Sequence, residues 1–198
     1  MLDECLTKIF IYTNSLSVIL PTPKLHYLSF MKKWIILGIC ILTIANSVNA
    51  QIPAQTVPDF RFLQKNGTAF TRQQLPSGKP LFFAFFDITC DHCQKAMQYL
   101  NSHYLELGKA AVYLVTLDPG PSAEAFLNKY APQLLRQPNT VLLRDTRNQF
   151  IALFQPRKYP SLFLYSPRQQ LILYSDEEKD LSAFVTKIKT TKYAAGNH

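Results

Sequence analysis

The chain has 198 residues, 47% of them hydrophobic and 17% charged, with 13 prolines, 6 glycines and a formal net charge of +8. This is ordinary globular composition for one domain once a targeting segment is removed, without internal repeats or low-complexity tracts. The basic residues are scattered and no basic run is interleaved with stacking aromatics, so nucleic acid is not an expected partner.

The targeting segment is legible near the start. Met31-Lys32-Lys33 is a basic opening, residues 34–44 are eleven positions without a charge, and Ala45-Asn46-Ser47-Val48-Asn49-Ala50 ends with small residues where signal peptidase reads. Eleven apolar residues fall short of the roughly 20 that span a bilayer. Residues 31–50 therefore read as a signal peptide cleaved after Ala50, with membrane association expected only if the leader stays uncleaved. The location that follows is periplasmic or otherwise extracytoplasmic. Leu37-Gly38-Ile39-Cys40 loosely resembles a lipobox, but Ile39 is not small and the apolar run continues past the cysteine. Residues 1–30 read as an upstream extension ahead of a true start at Met31.

Removing Lys8, Lys24, Lys32 and Lys33 with Asp3 and Glu4 from 21 basic and 13 acidic side chains leaves 17 and 11, a net of +6. Cys5 and Cys40 leave with the leader, so the mature chain keeps only Cys90 and Cys93. An exported domain with one C-x-x-C pair is not a disulfide-stapled scaffold, and its single possible internal disulfide is the short, reducible kind.

In chain order, residues 51–57 form a proline-spotted linker and residues 58–191 the domain. Residues 59–63 alternate like a strand, and Lys65-Asn66-Gly67-Thr68 signals a hairpin turn. Residues 73–80 are a polar connection broken at Ser77-Gly78. Residues 81–86 are an apolar, aromatic-rich run expected as a buried central strand, with Phe82, Phe83, Phe85 and Phe86 in the core and one face available to line a substrate groove. After Cys93, Met97, Leu100, Tyr104 and Leu107 recur at helical spacing, and Gly108 ends that helix. Residues 111–117 are a second strand. Pro119-Gly120-Pro121 turns the chain, Ser122 is placed to cap a helix carrying Phe126 and Tyr130, and Pro132 stops it. Residues 140–143 are a third strand, residues 145–148 a turn and residues 150–154 a short helical cluster. Residues 161–165 and 171–174 make a hairpin across Ser166-Pro167-Arg168-Gln169. Leu181, Phe184, Val185 and Ile188 mark a closing amphipathic helix, and residues 192–198 are a tail. This order predicts an α/β fold, a mixed central sheet with helices on both faces.

The chemistry gathers at Cys90-Asp91-His92-Cys93, where the central strand hands over to a helix. Unpaired backbone N–H groups and the helix dipole at such a junction favour negative charge, and so a thiolate. The spacing leaves the first thiol exposed and the second one turn inward: Cys90 is the expected nucleophile and Cys93 the resolving thiol. His92 and Asp91 are expected to tune the pair in opposite directions, because a nearby cation stabilises the thiolate and a nearby carboxylate opposes it. The direction of electron flow stays open.

These residues resemble the thioredoxin superfamily, most closely its exported TlpA-like branch of thiol–disulfide oxidoreductases. The resemblance is carried by Pro58-Asp59-Phe60, Asn66-Gly67, Gly78-Lys79-Pro80, the Cys90–Cys93 motif and Tyr159-Pro160-Ser161, and it covers residues 55–190. It implies a thioredoxin-like fold, an enzyme needing no cofactor and no metal, and exported thiol or disulfide proteins plus a redox partner as its partners. It also implies that Pro160 is a cis-proline facing the cysteines and that the backbone of Tyr159 pairs with an extended substrate. Two departures stand out: Ala84 replaces the buried carboxylate six residues before the first cysteine, with Asp87 as a partial substitute, and the aromatic before that cysteine is Thr89. A peroxiredoxin would need a hydroxyl three residues before its reactive cysteine, where this chain has Asp87. The alternative from another class is a copper- or zinc-binding or delivery protein using Cys90, His92 and Cys93 with His103 or another residue as fourth ligand.

Overall fold

The structure, a computed structural model, describes residues 51–190. The stretches expected as signal peptide and upstream extension, Cys5, Cys40 and the tail with His198 lie outside the described residues. Among the described residues no helix is long and apolar enough to cross a membrane.

Seven strands form one sheet in the order β2-β1-β5-β4-β3-β6-β7. They are β1 (Arg61–Leu63), β2 (Ala69–Thr71), β3 (Leu81–Phe85), β4 (Ala111–Thr116), β5 (Thr140–Arg144), β6 (Ser161–Tyr165) and β7 (Leu171–Ser175). The helices are α1 (Asp91–Ser102), α2 (Gly120–Tyr130), α3 (Pro132–Leu135), α4 (Gln149–Phe154) and α5 (Leu181–Thr190). β3, β4 and β5 run parallel, whereas β6 is antiparallel to β3 and β1 antiparallel to β5. The expected mixed sheet with helices on both faces is what the chain forms.

All five residues of β3 are buried, as a strand covered on both faces requires. The period-2 alternation then divides them between two cores. Phe82 and Ala84 face α1, α2, α3 and α5, packing with Met97, Leu100, Leu127 and Phe184. Leu81, Phe83 and Phe85 face the other way, into an aromatic core built from Phe62, Tyr113, Phe150, Phe154, Phe163 and Tyr165. Phe150 and Phe154 stack at 4.1 Å between centroids, an i, i+4 pair on α4. Burying one such side chain contributes about 1.5–3 kcal/mol, so each face is held by several large, fully buried groups.

Three local expectations are corrected. The first helix ends at Ser102, short of Gly108, and residues 106–109 form a separate 3-10 turn. The Ser102 hydroxyl and the His103 ring both bond the Tyr99 carbonyl, at 2.8 and 2.9 Å, competing with the backbone where the helix would continue. Ser122 does not cap α2, which starts at Gly120 with Pro121 in its first turn, where the fixed φ of proline suits a helix. Residues 54–57 are not free linker: Ala54 N–H bonds the Phe154 carbonyl at 3.0 Å, Val57 N–H the Gln169 carbonyl at 3.0 Å, and Val57 is fully buried.

The register positions the site. Phe85 pairs with Val115 in β4 and with Ser161 in β6. The chain leaving β3 and β4 and the chain entering β6 therefore meet at one edge of the sheet, the carboxyl ends of its parallel strands, where open α/β sheets place their sites.

Candidate active site

Cys90 is the N-cap of α1, and its sulfur accepts the Cys93 N–H at 3.3 Å. It occupies the place where serine or aspartate oxygens usually satisfy an orphan amide, so charge on the sulfur strengthens a bond already made. On its other side the Cys90 thiol donates toward the Tyr159 carbonyl at 3.9 Å. Tyr159–Pro160 is a cis peptide. Both thiols are free; Cys90 is half-buried and Cys93 fully buried. Burial pushes the Cys93 thiol far above its ordinary range, with the neighbouring Cys90 and the Asp87 carboxylate adding to the rise and a backbone bond from Asp87 opposing it.

Asp91 and His92 lie in the exposed first turn of α1. Asp91 Oδ1 accepts from Gln94 Nε2 at 3.4 Å. His92 Nδ1 pairs with Glu178 Oε2 at 3.0 Å, and this bond holds the Glu178 carboxyl below its usual range. The imidazole thus has a carboxylate partner, while the Cys90 sulfur has the Cys93 amide and the Tyr159 carbonyl.

The loop between β3 and α1 is pinned from both ends. Asp87 Oδ1 accepts the N–H and hydroxyl of Thr89 at 2.7 and 2.6 Å. Asp118, just beyond β4, accepts the Ile88 N–H at 3.1 Å and the Thr116 hydroxyl at 2.7 Å through Oδ2. Asp145, just beyond β5, is buried and accepts the N–H groups of Phe150 at 2.7 Å and Arg147 at 3.0 Å, fixing the start of α4. Burial, then the charges of Asp87 and Asp118, push the Tyr159 phenol up to about 12, which leaves it neutral and a hydrogen-bond donor at physiological pH.

Cys90, Cys93, Asp91, His92, Tyr159 and Pro160 are thus brought to one edge of the sheet. Sequence reasoning missed Glu178, Asp118 and Asp145; Asp118 was legible as an acid directly following an apolar run, and Asp145 as one following such a run after Arg144. His103 stands at the far end of α1, stacked on Tyr99 at 4.2 Å, away from the cysteines' end of the helix. Among the described residues no group of three or more His, Cys, Asp or Glu is gathered as a metal site. Cys90, His92 and Cys93 are not gathered as a ligand set: Cys93 is buried, and His92, on the exposed first turn of α1, turns its Nδ1 to Glu178.

The AhpC/TSA family profile matches residues 53–189. No curated protein matches at a significant level. Among solved structures, the thioredoxin domain of a thiol-disulfide oxidoreductase from Bacteroides vulgatus is similar at 18% identity and a TM-score of 0.56, covering 70% of this chain and 99% of that one. A secreted Mycobacterium tuberculosis disulfide oxidoreductase homologous to E. coli DsbE is similar at 18% identity and a TM-score of 0.53, covering 64% and 94%. BsSco, a member of the Sco family of cytochrome c oxidase assembly proteins, is similar at 15% identity and a TM-score of 0.52, covering 73% and 99%. At these identities the likeness shows the fold, which is thioredoxin-like.

Proposed function

The chain belongs to the AhpC/TSA family, and from that premise we propose that it is an extracytoplasmic thiol–disulfide oxidoreductase, exchanging disulfides with exported protein partners and with a redox partner. In this reading residues 31–50 are its export signal and residues 58–191 its catalytic domain. The observation that carries the reading is the asymmetry of the two thiols: Cys90 is half-buried at a helix N-terminus, and Cys93 is fully enclosed, where burial pushes its thiol up.

The Cys90 thiolate attacks one sulfur of a substrate disulfide, forming a mixed disulfide and expelling a substrate thiolate. Cys93 then loses its proton and attacks the Cys90 sulfur, expelling the second substrate thiolate. The products are the Cys90–Cys93 disulfide and two substrate thiols, which carry the two protons the dithiol gave up; the reverse sequence oxidises a substrate dithiol. Tyr159 offers its backbone beside Cys90 to an extended substrate, and Asp91 and His92 with its Glu178 partner set the local charge. Asp87 stands where a peroxide-reducing cysteine would need a hydroxyl and is committed to Thr89, which favours disulfide exchange over peroxide reduction.

Cys93→Ala is expected to accumulate mixed disulfides with exported proteins, seen as reductant-sensitive adducts by mass spectrometry, and Cys90→Ser to abolish turnover. Turnover surviving in Cys90→Ser, or stoichiometric copper or zinc in the purified reduced protein, would overturn the reading.

A further inference from the structure

An open cleft of about 230 Å³ lies beside Tyr159, lined by Phe85, Ile151, Pro156, Arg157, Lys158 and Tyr159 among others. Its volume falls below the roughly 300–1,000 Å³ of sites that enclose a drug-sized ligand, which is the scale of one large side chain. Its floor is apolar: the Phe85 and Tyr159 rings lie 4.7 Å apart. Ile151 is 40% exposed, one of three large hydrophobic side chains left uncovered among the described residues.

The cations on its wall are already paired. Arg157 meets Asp176 at 3.2 Å and Lys158 meets Glu177, both from the turn after β7. With their charges answered outside the cleft, these side chains present mainly aliphatic stems to it. Nothing in the lining calls for a charged occupant.

Tyr159 joins the cleft to the dithiol. It packs against both cores; its ring walls the cleft while its carbonyl faces the Cys90 sulfur at 3.9 Å. A chain lying extended across that carbonyl advances about 3.3–3.6 Å per residue, so a side chain one or two positions from the reacting cysteine falls within reach of the cleft.

We infer that this cleft is a specificity pocket for a large apolar side chain, aromatic above all, placed one or two residues from the reacting cysteine of the protein substrate. The inference rests on the disulfide-exchange reading and names its substrate class.

The test uses peptides carrying one cysteine in mixed disulfide with glutathione. A parent has serine at the two positions before and after the cysteine, and four derivatives place phenylalanine at each in turn. Glutathione release by the reduced protein gives a rate constant for each. At least one phenylalanine peptide is expected to react about tenfold faster than the parent, the scale of discrimination a hydrophobic contact supplies. Ile151→Glu is expected to bring that ratio close to one and Ile151→Val to keep it. A ratio near one for all four peptides in the wild type, or a ratio that survives Ile151→Glu, overturns the pocket. Glutathione release that persists in Cys90→Ser overturns instead the exchange chemistry beneath it, so the two failures are distinguishable.

Discussion

At the scale of single residues, the difference between the two thiols becomes a statement about stability. Cys93 has no exposed surface, and burial, the largest influence on it, raises its folded pKa above the unfolded value near 8.5. A group raised in this way contributes stability that is fully present below its unfolded pKa and is lost as pH rises toward its folded one. In that window the unfolded chain gives up a proton the folded chain keeps, so the reduced protein should lose up to about 1.4 kcal/mol per pH unit above roughly pH 8.5 from this group. The raised tyrosines, Tyr113, Tyr159 and Tyr165, enter only above their own unfolded values near 10. Urea melts of the reduced protein at pH 8.5, 9.2 and 9.9 should therefore fall more steeply than those of Cys93→Ala. Parallel slopes for the two proteins would show that Cys93 ionises as freely folded as unfolded.

At the scale of elements, the dithiol is placed by strand ends and by the carboxylates that follow them. Asp118 receives the Ile88 N–H at 3.1 Å, so the end of β4 holds the loop that presents Cys90. Asp118→Ala leaves that amide without its acceptor, at an expected cost of about 1–3 kcal/mol, together with slower exchange because the N-terminus of α1 loses its brace. Asp118→Asn keeps a side-chain oxygen and should retain most of both, so equal losses in the two variants by denaturant melts would argue that charge rather than the hydrogen bond matters. The dithiol and the strand ahead of it were legible in sequence because they are local patterns: an apolar run, a C-x-x-C and a helical period. The braces were not, because Asp118 and Ile88 are 30 residues apart and meet only through the β3–β4 register. His92 illustrates the same limit, since its sequence neighbours suggest an interaction with Cys90 whereas the fold supplies Glu178 from beyond β7. Helix ends misread from periodicity failed for a chemical reason, as at Tyr99, whose carbonyl is taken by Ser102 and His103.

At the scale of the whole domain, the sheet divides a chain of ordinary composition into an aliphatic-rich core under four helices and an aromatic core under α4 alone. The second is covered by less helix, and the segment before β1 helps close it. Ala54 is bonded at both its N–H, to the Phe154 carbonyl, and its carbonyl, from the Tyr165 hydroxyl at 3.0 Å. The Gln55 carbonyl takes the Leu171 N–H at 2.8 Å, tying the same segment to the edge strand β7. A proline-spotted, polar stretch carries no periodicity, so the boundary at residue 58 read from sequence falls inside this strap. A protein beginning at residue 58 would lose the burial of Val57, worth about 1.5–3 kcal/mol, and hydrogen bonds worth about 0.5–1.5 kcal/mol each. It should melt well below one beginning at residue 51, and because α4 also carries Ile151, it should lose selectivity among the phenylalanine peptides before it loses exchange with glutathione disulfide. Equal melting midpoints for the two lengths would show that the strap only lies on the aromatic core and does not hold it.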